Sequence, residues 1–246
     1  MAITDPHFWL LAVVVSLAFS VEAATGFGAT VIAVALGVHL FPLDELLPVI
    51  VPLGLVLSAS IAWRERVHTD RRLLLRRILP LMMLGLALGL AVFETASNTA
   101  LQRAFGLFIV FVALLELWRS RAGAPAAPAL PPLLRNAALL GAGVIHGLFS
   151  SGGPLLVYAL GREPVAKRAF RATLSTVWVI MATALSTAYT LRGHVDTGTL
   201  TATATLLPVL GLAFLAGNWL HGRLDEQRFR KFVYALLLAA GLTSLL

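Results

Sequence analysis

Two ionisable residues lie inside long apolar runs of this chain, at matching places in its two halves. Glu22 stands four residues before Gly26, and His146 stands four residues before Ser150. A carboxylate within a membrane span is uncommon and usually functional, and an imidazole can gain or lose a proton near neutral pH. We therefore predict that Glu22 and His146 carry a coupling proton, or that protonated His146 pairs with an anion. A scaffold role for Glu22, hydrogen-bonded to nearby broken backbone, is the alternative.

Short motifs of small residues follow both ionisable residues and predict breaks in the two helices. Backbone that is not helical persists in a membrane only where protein or a water-filled cavity covers it. The first amides after such a break carry partial positive charge, which suits the oxygens of a small anion. Close packing of helices through small residues is the alternative. The predicted substrate-binding residues supply backbone amides, hydroxyl donors and aromatic walls; they are Thr25, Gly26, Phe27, Gly28, Phe149, Ser150, Ser151, Gly152 and Gly153.

The composition places these motifs in a membrane protein. The chain of 246 residues is 59% hydrophobic and 13% charged, with a mean hydropathy of +0.88. Soluble domains usually carry about 25% charged residues. The net charge of +7 fits basic cytoplasmic loops, so we expect membrane lipid and no nucleic acid as a partner. The absence of cysteine excludes disulfides and thiolate metal sites, and we expect no metal.

Eight apolar segments are long enough to form membrane helices, which predicts an all-α integral membrane protein. They cover residues 8–41, 46–63, 73–93, 100–118, 136–160, 169–191, 199–220 and 229–246. A proline-rich stretch separates the fourth segment from the fifth and indicates an exposed linker. The predicted division is therefore a first transmembrane repeat at 1–119, a cytoplasmic linker at 120–133 and a second transmembrane repeat at 134–246.

The two halves match each other in several polar and helix-breaking residues, which indicates an internal duplication. Glu22 and His146 are separated by 124 positions, and Pro80 and Pro208 by 128. The pairs His68-Thr-Asp70 and His194-Val-Asp196 also correspond. Each His-x-Asp pair precedes a span, where the aspartate can cap exposed amides, so we predict capping rather than a metal site.

Basic residues predict how the halves are oriented. If every segment crossed once, ten basic residues would lie on one side and nine on the other, against the positive-inside rule. If segments one and five are broken at their motifs and re-entrant, seventeen lie inside and only Arg103 and Arg192 outside. The sequence therefore predicts two inverted repeats of four segments, with both termini outside and the linker inside.

The chain resembles the TauE/SafE family of membrane permeases, which export sulfite and organosulfonates. The resemblance spans both repeats and is carried by Gly26-Phe-Gly28-Ala and Ser150-Ser-Gly152-Gly-Pro154. The family pattern is richer in glycine, roughly G-F-G-G-G and G-I-G-G-G-P. The resemblance implies a secondary transporter of a small anion (sulfite, an organosulfonate or a small carboxylate). It also implies proton linkage, no organic cofactor and a place in the bacterial inner membrane.

Two other functions stay open at this point. A passive anion channel is one, because broken helices also build selectivity filters. An intramembrane hydrolase that uses Ser150 and His146 is the other, although the duplication already explains their spacing. The identity of the anion, the direction of transport and the oligomeric state, including a homo-oligomer, are also open.

Overall fold

The computed structural model describes residues 4–25, 28–121, 130–160, 167–221 and 226–245. Within these ranges the regular elements are helices. The α-helices are α1 (Pro6–Thr25), α2 (Ala29–Gly37), α3 (Leu43–Glu65), α4 (Arg71–Leu73), α5 (Leu79–Thr95), α6 (Asn98–Arg121), α7 (Pro132–Phe149), α8 (Gly153–Leu160), α9 (Lys167–Leu191), α10 (Thr197–His221) and α11 (Glu226–Thr243). A 3₁₀ turn at Arg66–His68 follows α3, and a π-helical turn at Leu74–Ile78 joins α4 to α5.

Seven helices in the described part of the chain are long and apolar enough to cross a membrane. This confirms the predicted all-α membrane protein. The last predicted segment, α11, is not among the seven, because four charged residues occupy its first six positions. They are Glu226, Arg228, Arg230 and Lys231.

Both segments that carry the small-residue motifs are interrupted, and the second piece folds back along the first. A Cβ atom built on Gly37 of α2 would lie 3.4 Å from Leu11 of α1. The rings of His7 and Phe41 are 6.5 Å apart, so the first segment begins and ends at the same end of the bundle. In the second broken segment, a Cβ atom on Gly141 of α7 would lie 3.7 Å from the Leu155 side chain of α8.

Helices from the two halves interleave, and glycines allow their backbones to touch. Gly85 and Gly89 of α5 face Gly143 and Gly147 of α7, and a Cβ atom at any of the four would overlap backbone of the opposite helix. Such small-residue interfaces replace hydrophobic burial as the source of helix association in lipid. The α5–α7 interface therefore needs glycine for steric reasons.

The helices α10 and α1 correspond to α5 and α7, each in the opposite half of the chain. They pack in the same manner. Gly217 of α10 abuts the Ser20 carbonyl of α1, and the Ser20 hydroxyl donates to the Ala213 carbonyl at 3.1 Å. In addition, α3 packs on α9 and α6 packs on α11. The pairing agrees with the duplication, while the inverted orientation across a membrane and the boundaries of the repeats stay predictions. Residues 122–129 of the predicted linker lie outside the described residues.

The two His-x-Asp pairs cap helices, as predicted. Asp70 accepts a hydrogen bond from the Leu73 amide at 2.9 Å, and Asp196 accepts one from the Thr199 amide at 2.7 Å. The hydrogen bond from the Thr199 amide holds the pKa of the Asp196 carboxyl below its usual range. Both aspartates therefore satisfy amides at a helix start, where no intrahelical acceptor exists.

Removing the Asp70 cap is expected to destabilise the protein modestly. Asp70→Ala should lower the free energy of unfolding by about 1 kcal/mol, because the Leu73 amide loses its acceptor. Asp70→Asn is the matched control, since asparagine caps about as well as aspartate. Thermal unfolding in detergent measures both variants. Equal stability of Asp70→Ala and the wild type would contradict the capping role.

Candidate functional site

The two helix breaks meet in the interior and are joined by a hydrogen bond. Thr30, in the first turn of α2, donates from Oγ1 to the carbonyl oxygen of Ser150 at 2.8 Å. Ser150 is the residue at which α7 ends, and its own amide donates to the His146 carbonyl at 2.7 Å. The two motifs, 124 positions apart in the sequence, therefore form one site.

Left-handed backbone marks both breaks. Gly28 precedes α2 with a φ of 101°, and Ser150 follows α7 with a φ of 52°. In the described ranges, Ser150 is the one residue other than glycine with a positive φ. A left-handed residue at a helix end redirects the chain and is usually glycine, because a Cβ atom is strained in this conformation.

A cavity of about 40 Å³ lies where the breaks meet. A polar cavity of this size has room for a few water-sized groups. It is lined from both breaks and from the facing sides of α3 and α9, by Glu22, Gly28, Thr30, Val31, Val51, Gly54, Ser58, His146, Ser150, Gly153, Trp178 and Ala182. No lysine or arginine stands among these lining residues, so the ionisable groups there are Glu22 and His146.

Glu22 is buried, with 6% of its surface exposed, and its carboxylate bridges the first break. Its Oε2 accepts a hydrogen bond from the Ala29 amide at 3.0 Å. Ala29 is the first residue of α2, so the carboxylate stands where a bound anion would meet that helix start. Glu22 therefore makes the hydrogen bond to broken backbone that a scaffold role requires.

His146 is buried, with 4% of its surface exposed, and stacks on the indole of Trp178 with ring centroids 5.4 Å apart. Neither ring nitrogen has a hydrogen-bond partner among the described residues. Buried polar atoms in native proteins nearly always have a partner. Because His146 also lines the cavity, its ring nitrogens are available to water or to a bound ligand.

Five of the predicted site residues line this cavity, and three lie elsewhere. Glu22, Gly28, His146, Ser150 and Gly153 are brought together. The ring of Phe149 instead packs against Phe105 at 5.0 Å, the Ser151 hydroxyl donates to the Phe149 carbonyl at 2.8 Å, and Gly152 abuts the Ala142 carbonyl. Gly26 and Phe27 lie outside the described residues, as does the side chain of Thr25.

Sequence reasoning missed the contributions of α2, α3 and α9. Thr30, Gly54, Ser58 and Trp178 line the cavity but lie outside the two motifs. Trp178 carried a usable signal, because tryptophans of membrane helices favour the ends of spans and this one is central in α9. The small residues gave no such signal, since small residues are common at helix contacts in membranes.

Comparison with known proteins assigns the family. A family model described as "Sulfite exporter TauE/SafE" matches residues 11–244. The chain belongs to the TauE/SafE family. No solved structure shows a significant match.

Two relatives of the TauE/SafE chain are transport proteins of bacteria. The "Probable inner membrane transporter protein TsaS" of Comamonas testosteroni is 29% identical over 168 residues, which are 68% of this chain and 69% of the relative. The "Probable sulfite/organosulfonate exporter TauE" of Cupriavidus necator (strain ATCC 17699) is 23% identical over 231 residues, which are 93% and 89% of the two chains. With the seven candidate spans, these matches confirm a multi-pass protein of a bacterial inner membrane.

The left-handed position at the second break predicts that glycine fits better than the serine found in this TauE/SafE chain. Ser150→Gly should raise the free energy of unfolding by about 1 kcal/mol, because glycine adopts a positive φ without strain. The bond from Thr30 reaches the backbone carbonyl and is retained. Thermal unfolding in detergent measures the change.

The neighbouring serine is the matched control. Ser151→Gly removes the hydroxyl bond to the Phe149 carbonyl and relieves no strain, so it should lower stability. A loss of stability in Ser150→Gly as large as that in Ser151→Gly would contradict the strain argument.

Proposed function

We propose that this chain is a proton-linked secondary transporter that exports a small oxyanion, such as sulfite or an organosulfonate. The anion is held in the cavity between the two helix breaks. The observation that carries the proposal is the buried His146, whose ring nitrogens have no hydrogen-bond partner among the described residues and which lines that cavity. The family match supports transport, and the relative from Cupriavidus necator is named as a sulfite/organosulfonate exporter.

The proposed site binds an anion through partial charges and hydroxyl groups. Two helices, α2 and α8, start at the cavity, and their first amides carry partial positive charge. The hydroxyls of Ser58 and Ser150 line the same space and can donate to oxygen. A permanently charged lysine or arginine would hold an anion more tightly, which would slow its release during transport.

Proton linkage follows from the charge of Glu22. An ionised carboxylate at the start of α2 occupies the Ala29 amide and repels an incoming anion. Protonation removes that charge, so the proton and the anion bind more favourably together than separately and leave the cell together, driven by the outward gradient of the anion. His146 adds a second proton site, because an imidazolium next to the anion forms a charge-assisted hydrogen bond.

Two other functions receive less support from the same geometry. The hydrolase alternative requires the His146 ring to accept a hydrogen bond from the Ser150 hydroxyl. The hydrogen bond between these residues runs from the Ser150 amide to the His146 carbonyl, and the ring nitrogens accept nothing within the described ranges. A passive channel would use the same cavity, and flux measurements separate it from a transporter.

Reconstituted protein tests the proposal directly. Uptake of labelled sulfite, sulfate, a short sulfonate and a short carboxylate into proteoliposomes is measured with and without a pH gradient. Saturable flux that responds to the gradient is expected for sulfite or the sulfonate. Flux that neither saturates nor responds would identify a channel, and no flux from folded protein would overturn the proposal.

Glu22→Gln is expected to separate anion movement from the proton gradient. Glutamine can still accept the hydrogen bond from the Ala29 amide, but it cannot ionise. Anion exchange should persist, while accumulation driven by a pH gradient falls and the KM changes less with pH, because His146 remains as a proton site. Full transport that still depends on pH would exclude the proton role of Glu22.

His146→Phe is expected to weaken anion binding and leave the fold intact. Phenylalanine keeps an aromatic face against Trp178 but supplies no ring nitrogen. The KM should rise about tenfold or more, as expected when a hydrogen bond to a charged ligand is lost. The control is His194→Phe, because His194 contacts Glu94 at 3.3 Å and does not line the cavity. An unchanged KM in His146→Phe would contradict the assigned contact.

A further inference from the structure

Gly54 differs from the glycines that the helix interfaces require. At the α5–α7 interface, a Cβ atom on Gly85 or Gly147 would overlap backbone of the opposite helix. Among the described residues, a Cβ atom on Gly54 would have one near neighbour within 4 Å, Thr30 Cγ2 at 3.6 Å, which is an ordinary van der Waals contact. Helix packing therefore does not require glycine at this position. The missing side chain leaves room in the cavity, which Gly54 lines.

The second half of the chain fills the corresponding place with an indole. Trp178 stands 124 positions after Gly54, the same separation as between Glu22 and His146. Its ring stacks on His146 and lies 3.8 Å from the position that a Cβ atom on Gly153 would take. Among the described residues the cavity is therefore asymmetric, with aromatic bulk beside the second break and open space on α3 beside the first.

Apolar side chains from three helices take part in the cavity lining. Val51, one turn before Gly54 on α3, lines the cavity together with Val31 of α2 and Ala182 of α9. The hydrogen-bonding groups belong to other lining residues, among them His146, Ser150 and Ser58, which lies one turn after Gly54 on α3. A ligand with oxygens at one end and a carbon substituent at the other matches this division.

We propose that Gly54 determines substrate size by leaving room for the substituent that an oxyanion carries besides its oxygens. The inference rests on the proposed transport function and adds the residue that limits which anions fit. A larger side chain at position 54 excludes anions with long substituents and spares small inorganic ones. Trp178 lines the same cavity and fills the corresponding position on α9 with its indole.

The test compares anions of increasing size in proteoliposomes that contain the wild type, Gly54→Ala or Gly54→Val. The probes are sulfite, methanesulfonate and propanesulfonate. In Gly54→Val, kcat/KM for propanesulfonate relative to sulfite should fall about tenfold or more, because a pocket discriminates about 10-fold to 200-fold per methylene. Gly54→Ala should show a smaller change in the same direction. Its single methyl group meets Thr30 at an ordinary distance, so this variant is expected to fold even if the valine variant does not.

Gly211→Val is the matched control. Gly211 is an exposed helical glycine of α10, and a Cβ atom there would meet no atom of the described part of the chain within 4 Å. The ratio of propanesulfonate to sulfite transport should equal that of the wild type. A changed ratio in Gly211→Val would show that the ratio responds to any added bulk in the helices, and it would overturn the assignment.

The outcomes distinguish this inference from the proposed function. An unchanged ratio in both Gly54 variants, an equal loss for all three anions, or wild-type flux confined to sulfite would overturn the role of Gly54 alone. If the wild type moves none of the three anions, the proposed function fails and this inference fails with it. A ratio that falls stepwise from glycine to alanine to valine supports the assignment.

Discussion

Backbone groups that lose their helical partners in an apolar interior must find other partners, and this constraint shapes the centre of the molecule. At the first break, the free Ala29 amide is bound by the Glu22 carboxylate. At the second break, the Ser150 carbonyl is bound by the Thr30 hydroxyl. These two side chains allow α2 and α8 to start in the interior. The polar lining of the cavity is therefore a consequence of breaking two helices in the same place.

The positions of the two breaks depend on interfaces in which backbone meets backbone. Gly85 and Gly89 hold α5 against α7, and Gly217 holds α10 against α1. Each broken segment is thus held by a helix of the other half of the chain. Because glycine interfaces leave little freedom to slide, the ends of α1 and α7 stay close enough for the contact between Thr30 and Ser150 to form.

The two halves of the cavity are chemically different. Glu22 corresponds to His146, and Gly54 corresponds to Trp178. One half contributes a carboxylate and open space, whereas the other contributes an imidazole stacked on an indole. A symmetric site would present the same groups twice. In the transport function that we propose, the asymmetric one separates a proton-binding group, an anion-binding group and a space for the rest of the substrate.

Local patterns in the sequence determined the helical membrane class, both helix breaks and the capping role of Asp70. These features depend on residues within a few turns of each other: apolar run length, glycine and serine in a run, and an aspartate before a helix. Tertiary structure alone decided that Thr30 reaches Ser150, that Phe149 turns toward Phe105, and that Gly54 opens into the cavity. The physical reason is that side-chain direction at a break depends on which helix packs beside it, and partners separated by more than 100 positions leave no local signal.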